Sequence, residues 1–253
     1  MFAGAMAVLM VLSAVNVSGW GVMNAKAEET AVQVNDSAGK TEQQSTEEEE
    51  CKHEGVEITF NNNGFGNCPK CNATVYQPAV ETTDKYDIDD DSMKETVYEI
   101  SNAGQLYWFA GLVNGTLDGI EQNTSANAIL MEDITVNDNL LDSLQYDTEG
   151  NVSNGSDFIS WTPIADWMGN RTTQYSGTFD GNNKTVSGLY FNGDSTCIGL
   201  FGSSESDGNI KNVGVVDSYF KGNDSVGGVC GNNAGTITNC YNAGNLTAIE
   251  SSA

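Results

Sequence analysis

Four residues ahead of the main body of the chain have the types and spacing to hold a metal. Cys51 and His53 are one residue apart, and Cys68 and Cys71 are separated by Pro69-Lys70. Thiolates and one imidazole in two pairs match tetrahedral zinc, which takes sulfur and nitrogen donors at a fixed bite. A set of four ligands leaves no position for water, so zinc held by Cys51, His53, Cys68 and Cys71 is expected to be structural. A disulfide is the alternative, because thiols outside the cytosol oxidise.

Carboxylates offer a second chemistry. Asp84, Asp87, Asp89, Asp90 and Asp91 crowd one stretch. Asp87, Asp89 and Asp91 take the first, third and fifth places of an EF-hand loop, but Ser92 stands at the sixth and Tyr98 at the twelfth. A solvated acidic linker is the expected state of this segment.

Catalysis is argued against by inventory. His53 is the only histidine, which excludes a Ser-His-Asp triad in the second half and the two-histidine helix of a zinc peptidase. Arg171 is the only arginine. Asp166, Asp180, Asp194, Asp217 and Asp224 could serve a glycosidase in pairs. Each stands near Gly, Asn or Ser, however, where turn formation accounts for it. Trp108, Trp161 and Trp167 are expected in the core or at its cap, and Cys197, Cys230 and Cys240 as small apolar fillers. Tyr190, Tyr219, Phe220 and Tyr241 recur after similar segments and are expected as an exposed row, the best place for a stacking or adhesive face.

The elements that carry these residues follow from pattern. Residues 1–27 read as a leader: an apolar run followed by Ala25-Lys26-Ala27, with cleavage after Ala27. An uncleaved anchor is the alternative, and no Lys or Arg precedes the apolar run. No other stretch is apolar enough to span a membrane, so the mature chain is expected outside the cell, secreted or attached to the wall. Residues 28–50, ending in four glutamates, are expected as a disordered acidic spacer. Residues 51–79 form a small Cys-bearing module, residues 80–96 an acidic linker, and residues 97–253 the larger domain. With 35 Asp and Glu against 10 Lys and Arg, the chain carries a net charge of −25, which repels nucleic acid.

The larger domain opens on a helix, with Leu106, Phe109, Ala110 and Val113 at helical spacing, Ser101 as N-cap and Asn114-Gly115 as the stop. A short β run at 128–136 follows, then a polar loop at 137–160. From Trp161 onward the chain echoes itself. Thr185-Val-Ser-Gly-Leu189, Asn209-Ile-Lys-Asn-Val213 and Thr236-Ile-Thr-Asn-Cys240 share one pattern, in which Val186, Ile210 and Ile237 take the same place. Glycine-ended companions precede them: Thr178-Phe-Asp-Gly181, Gly199-Leu-Phe-Gly202 and Gly228-Val-Cys-Gly231. The period lies in the twenties, which suits one coil of a solenoid. Val186, Leu189, Ile210, Val213, Ile237 and Cys240 would stack inside. Gly188, Asn212 and Asn239 would form a row of corners, since Gly and Asn enter the left-handed region at least cost.

The expected fold is therefore all-β: a right-handed parallel β-helix with one N-terminal capping helix, preceded by the spacer and the small module. Gly227-Gly-Val-Cys-Gly-Asn-Asn-Ala-Gly-Thr-Ile-Thr-Asn-Cys-Tyr-Asn-Ala-Gly244 resembles the GLUG repeat of bacterial secreted and cell-surface proteins. Residues 198–202 with 208–213 resemble a second copy, and 177–189 resemble the preceding coil of a pectate-lyase-like β-helix. Gly66-Asn-Cys-Pro-Lys-Cys-Asn72 resembles a zinc-ribbon knuckle. The resemblance implies an extracellular setting with adhesion or surface display. A glycan or protein of a host or of a cell surface is the partner class expected, with further repeats following Ala253. Such repeats also accompany large enzymes, IgA-specific metallopeptidases among them, so the accessory region of a larger secreted peptidase or glycan-active enzyme is the alternative. A carbohydrate-active β-helix is the third.

Overall fold

A computed structural model describes residues 56–89, 91–167 and 173–249. The leader at 1–27, the spacer at 28–50, and Cys51 and His53 lie outside the described residues. Within them the protein is all-β, with one long helix.

The Cys-bearing segment is a hairpin. Strands β1 (Phe65–Asn67) and β2 (Thr74–Tyr76) pair antiparallel, with Phe65 opposite Tyr76. Its turn closes through Cys68 N–H to the Ala73 carbonyl and Asn72 N–H to the Cys68 carbonyl, at 2.9 and 2.7 Å. Asn72 sits at φ 61°, a conformation that asparagine adopts more readily than most residues.

The acidic stretch after the hairpin is not a linker. Strand β3 (Val80–Tyr86) pairs antiparallel with β4 (Glu95–Ile100), Val80 opposite Glu99 and Tyr86 opposite Glu95. Together they form one end of the nine-stranded sheet. Glu81 and Asp84 lie on the largely exposed β3, where charge guards an edge strand against further pairing, and Asp87, Asp89 and Asp91 lie in the connection to β4. Ile88 is buried in the connection, and its carbonyl accepts from Lys211 Nζ at 2.6 Å.

Helix α1 (Ala103–Asn114) is capped by Asn102, not Ser101. The Asn102 side chain accepts the Gln105 N–H at 2.9 Å, while Gln105 Oε1 accepts the Ser101 N–H at 2.7 Å. Both residues can cap a helix; Gln105 lies three positions after Asn102 and its side chain reaches back to the N–H of Ser101, one residue ahead of the N-cap, a variant of the capping box. Gly115, at φ 65°, ends the helix. All twelve residues of α1 are buried, so the helix is covered on every side rather than on one stripe. The Cys-bearing hairpin seats on its N-terminus. A Cβ on Gly104 would lie 2.0 Å from the Gly64 carbonyl oxygen, so only glycine permits this approach.

Beyond α1 come β5 (Asn127–Leu130), β6 (Ile134–Thr135), the short helix α2 (Leu140–Ser143), and a 3-10 turn at Gly155–Asp157. Strands β7 (Thr178–Ser187), β8 (Tyr190–Asn192), β9 (Thr196–Ile198) and β10 (Phe201–Ser204) precede the 14-residue β11 (Asn209–Gly222). The chain continues with β12 (Asp224–Val226), β13 (Cys230–Asn233), β14 (Thr236–Thr238) and β15 (Tyr241–Ala248). Every pairing among the named strands from β4 onward is parallel.

The registers advance in similar steps. Phe201 lies beside Cys230 and Asn209 beside Thr236, each partner one repeat further along the chain. These two pairings match the repeat alignment of the sequence. The first repeat departs from it: Ile210 lies beside Phe179, and Val186 lies beside Val215 rather than Ile210. The cause is local. A register shift falls between Lys211 and Val213, opposite Gly181-Asn182-Asn183, where both asparagines are left-handed at φ 50° and 59°. Thr178-Phe-Asp-Gly181 also runs polar, apolar, variable, Gly, so it can stand beside Asn209–Asn212 in place of Thr185–Gly188, and the two extra residues decide between the alignments.

The row of left-handed residues changes with the register. Asn183, Asn212 and Asn239, at φ 59°, 56° and 52°, stand at successive turns of one row. Asn239 Nδ2 donates to Asn212 Oδ1 at 3.2 Å, and Asn212 Nδ2 donates to Asp180 Oδ1 at 3.0 Å. Gly188 belongs beside Asp217 instead, itself at φ 45°. Inside lie Val186, Leu189, Ile210, Val213, Val215 and Phe220, together with Phe179, Phe201 and Tyr175. Each large apolar side chain buried in this way contributes about 2 kcal/mol. Phe109 carries the helix into the same core, with ring centroids 6.1 Å from Phe179 and 6.5 Å from Tyr175. Trp161 is buried and donates its Nε1–H to the Gly199 carbonyl at 2.9 Å.

Candidate functional site

Of the four residues proposed to hold zinc, Cys68 and Cys71 lie in the turn between β1 and β2; Cys51 and His53 fall outside the described residues. Cys68 is buried beside Val75, with Val56, Ile58 and Phe60 packed against the pair, and Cys71 is exposed. Lys70 donates its N–H to Cys68 Sγ at 3.4 Å. The turn thus fits the first half of a thiolate site, with one sulfur backed by a small apolar cluster.

The acidic stretch gathers more closely than its sequence suggests. Carboxylate oxygens of Asp87, Asp89, Asp91 and Glu95 all lie within 4.8 Å of one another. Each also accepts a backbone N–H: Asp87 from Ser92, Asp89 from Asp91, Asp91 from Met93 and Glu95 from Ile88, at 2.8 to 3.3 Å. These bonds build the turn between β3 and β4.

Asp217 and Asp180 in the repeat region are engaged similarly. Asp217 accepts the N–H groups of Leu140 and Leu141 at 2.9 and 3.0 Å. Asp180 accepts from the Asn182 N–H at 2.7 Å and from Asn212. Asp166 is buried, and its N–H donates to Asn114 Oδ1 at 3.0 Å. Trp108 and Trp161 are both buried.

The aromatic row expected on the surface is mostly covered. Tyr190 and Tyr219 are buried at 4% and 6% exposure and Phe220 at 0%, whereas Tyr241 is 55% exposed. Tyr190 and Tyr219 are register partners whose rings stack at 5.8 Å and 21°. Leu140 joins them in a separate apolar cluster, with Leu141, Leu144, Val152 and Phe158 packed on it. The segment expected as a polar loop therefore folds its leucines over the tyrosine pair. Burial, and then the neighbouring phenols of Tyr146 and Tyr190, push the Tyr219 hydroxyl above its ordinary pKa.

The next position in this row is Asn245, the partner of Tyr219 on β15. Here the ladder of rings stops. A groove of about 460 Å³ opens at this point, lined by Tyr146, Tyr219, Lys221, Asn242, Asn245 and Thr247 among others. Tyr146 stands over it at 52% exposure, on a hairpin in which it bridges Val152. Asp147 fixes that hairpin by accepting the N–H groups of Asn151 and Glu149 at 2.8 and 2.9 Å, and these bonds, Asn151 first, hold its carboxyl below the usual range. Lys221 Nζ donates to Asn151 Oδ1 at 3.2 Å, joining hairpin and strand. Sequence reasoning did not find this groove, because the signal is a Tyr, Tyr, Asn series visible only in the observed register.

The comparisons with known proteins add one relative. The chain is 42% identical over 68 residues to Halomucin of Haloquadratum walsbyi (strain DSM 16790 / HBSQ001). The match covers 26% of this chain and spans 1% of the length of that relative. No family model matches the chain. No solved structure matches it.

Proposed function

We propose that the chain is an extracellular, non-enzymatic surface protein whose parallel strands are successive coils of a right-handed β-helix serving adhesion or display. The observation that carries this reading is the repeated parallel step from Phe201 to Cys230 and from Asn209 to Thr236. Steps of one coil length leave the outward side chains in rows, and rows at fixed spacing make an extended binding surface. In this reading α1 covers the first coil. The GLUG-like segments at 198–213 and 227–244 fall on the same steps.

Hydrogen bonding of the repeat-region aspartates supports the non-enzymatic side. Asp180 and Asp217 direct their oxygens at amide groups of the backbone or of Asn212. Among the described residues no helix is long and apolar enough to cross a membrane. The likeness to a stretch of a protein named Halomucin points, like the leader-type segment, outside the cell. Structural zinc at Cys51, His53, Cys68 and Cys71 belongs to the same reading, supported by the tight turn around Cys68.

The test is localisation with function. The chain expressed in a bacterial host with its own leader segment, Met1 to Ala27, should appear outside the cytoplasm, accessible to added protease, and the purified protein should coat a glycan or protein surface saturably. Retention in the cytoplasm, or turnover of a polysaccharide by the purified chain, would overturn the reading.

A further inference from the structure

Eleven of the 28 asparagines stand two places before a Ser or Thr, with no proline between, whereas 42 Ser and Thr among 253 residues would place about five there by chance. Asn-x-Ser/Thr is the acceptor sequence for N-linked glycans, so each triplet is a candidate for sugar, and the fold sorts them. Asn114 is buried, with its Nδ2 donating to the Pro163 carbonyl at 2.9 Å and its Oδ1 accepting the Asp166 N–H at 3.0 Å. Asn154 is held in the same way, by the Ser143 carbonyl and the Gln145 N–H, at 3.0 and 2.9 Å. Asn183 is exposed, but its triplet lies within β7, and the Thr185 hydroxyl donates to Asp133 at 3.1 Å.

Asn123-Thr124-Ser125 differs from these. It lies in the connection between α1 and β5, outside any helix or strand. The connection is anchored around the triplet: Asn123 N–H donates to the Leu112 carbonyl at 3.1 Å, and the Thr124 carbonyl accepts the Ser176 N–H at 2.9 Å. Asn123 Oδ1 accepts both the N–H and the hydroxyl of Ser125, each at 3.1 Å. Among the described residues no acceptor engages Asn123 Nδ2. Glu121 and Ser125 are exposed and Asn123 is half-buried. We propose that Asn123 is an N-glycosylation site, taking its sugar from a polyprenyl-pyrophosphate-linked donor. Nδ2 attacks the anomeric carbon; the new N–C bond replaces the C–O bond to pyrophosphate, which leaves with the bonding pair, and one Nδ2 proton passes to a carboxylate of the transferase. The glycan, bulky and strongly hydrated, then covers the connection that follows the capping helix. The proposal rests on the extracellular reading above, because a glycan of this kind belongs to the surface of a secreted protein.

Transfer onto the purified, folded chain tests the site without reference to where the chain is exported. The probe is a single-subunit oligosaccharyltransferase that selects Asp/Glu-x-Asn-x-Ser/Thr, with its polyprenyl-pyrophosphate-linked oligosaccharide. Glu121 and Glu149 give Asn123 and Asn151 alone the required acid. The Asn151 carboxamide is engaged at both ends, by Lys221 Nζ at 3.2 Å and Asp147 at 3.5 Å, so Asn123 should be modified first. Intact mass should rise by one glycan, and peptide mapping should place it on Asn123. Ser125→Ala should abolish that transfer and Ser125→Thr should keep it, with circular dichroism showing both variants folded like the parent. An unmodified Asn123, modification of Asn151 ahead of it, or transfer that survives Ser125→Ala overturns the proposal. The protease test of localisation reads the extracellular proposal separately, so a chain retained in the cytoplasm and a chain refused by the transferase are different results.

Discussion

The carboxylate of Asp217 accepts the backbone N–H of Leu140 at 2.9 Å, joining two residues 77 apart in sequence. The same group accepts Leu141 N–H at 3.0 Å, so one side chain on β11 holds the start of the whole outer excursion. That excursion covers Tyr190 and Tyr219 and carries Tyr146. Asp217→Asn keeps a residue that tolerates the left-handed backbone but exchanges one acceptor oxygen for a donor. We expect a loss of about 1 kcal/mol, comparable to a lost helix cap, with a fall in Tm of roughly 3 °C. Limited proteolysis should cut first within residues 140–158; a parent-like cleavage pattern would contradict this role.

Two glycines separate backbone strain from steric conflict. Gly150 has φ 84° and open space around its Cβ position, whereas Gly188 has φ 75° and would place a Cβ 2.0 Å from the Asn137 carbonyl oxygen. Gly150→Ala should cost about 1 kcal/mol, from conformation alone. Gly188→Ala should cost upward of about 3 kcal/mol, because two stretches of backbone must also part. Urea denaturation of the two variants measures the difference, and equal losses would show that the approach of Gly188 to Asn137 is not tight in solution.

These residues also show how far the fold was legible. Gly188, Asn212 and Asn239 all take the left-handed backbone expected of their residue types, though Gly188 stands outside the row of the two asparagines, and the pairing of Phe201 with Cys230 was readable because both segments end in glycine. The partner of Val186 was not, because Gly181-Asn182-Asn183 inserts two residues that the pattern cannot register. The β3 strand was hidden by its charges, which mark an exposed edge as readily as a solvated linker. The groove was hidden for a different reason: it depends on a residue, Asn245, that draws no notice until Tyr219 is known to lie beside it.

Acid should weaken the protein in a defined window. Asp133 accepts the Thr185 N–H at 2.8 Å and its hydroxyl at 3.1 Å. These bonds, the N–H first, hold its carboxyl below the ordinary value. A lowered folded pKa means that the stabilisation is fully present above the unfolded carboxylate value, about 3.9, and is lost as pH falls through the lowered value. The stability difference between the parent and Asp133→Asn should therefore narrow on going from about pH 6 to below the ordinary carboxylate range. A difference that stays constant with pH would assign the effect to packing.

Zinc makes a separable prediction. Folded protein prepared with zinc should carry about one equivalent, as a single four-ligand site requires. Cys71→Ser should lower that content and loosen the hairpin from α1, read as faster hydrogen exchange of the Gly104 amide, which donates to the Asn63 carbonyl at 2.7 Å. A Cys68–Cys71 disulfide in metal-free, fully folded protein would contradict the assignment.

The central claim is that successive segments of this chain stack as parallel coils. Nuclear Overhauser contacts between backbone amide and α protons of an isotope-labelled sample test it most directly. The stacking places Phe179, Ile210 and Ile237 in one row and Val186 beside Val215. Cross-strand contacts in that order, all parallel, are the expected result. Antiparallel contacts among these segments, or a pairing of Val186 with Ile210, would contradict the account.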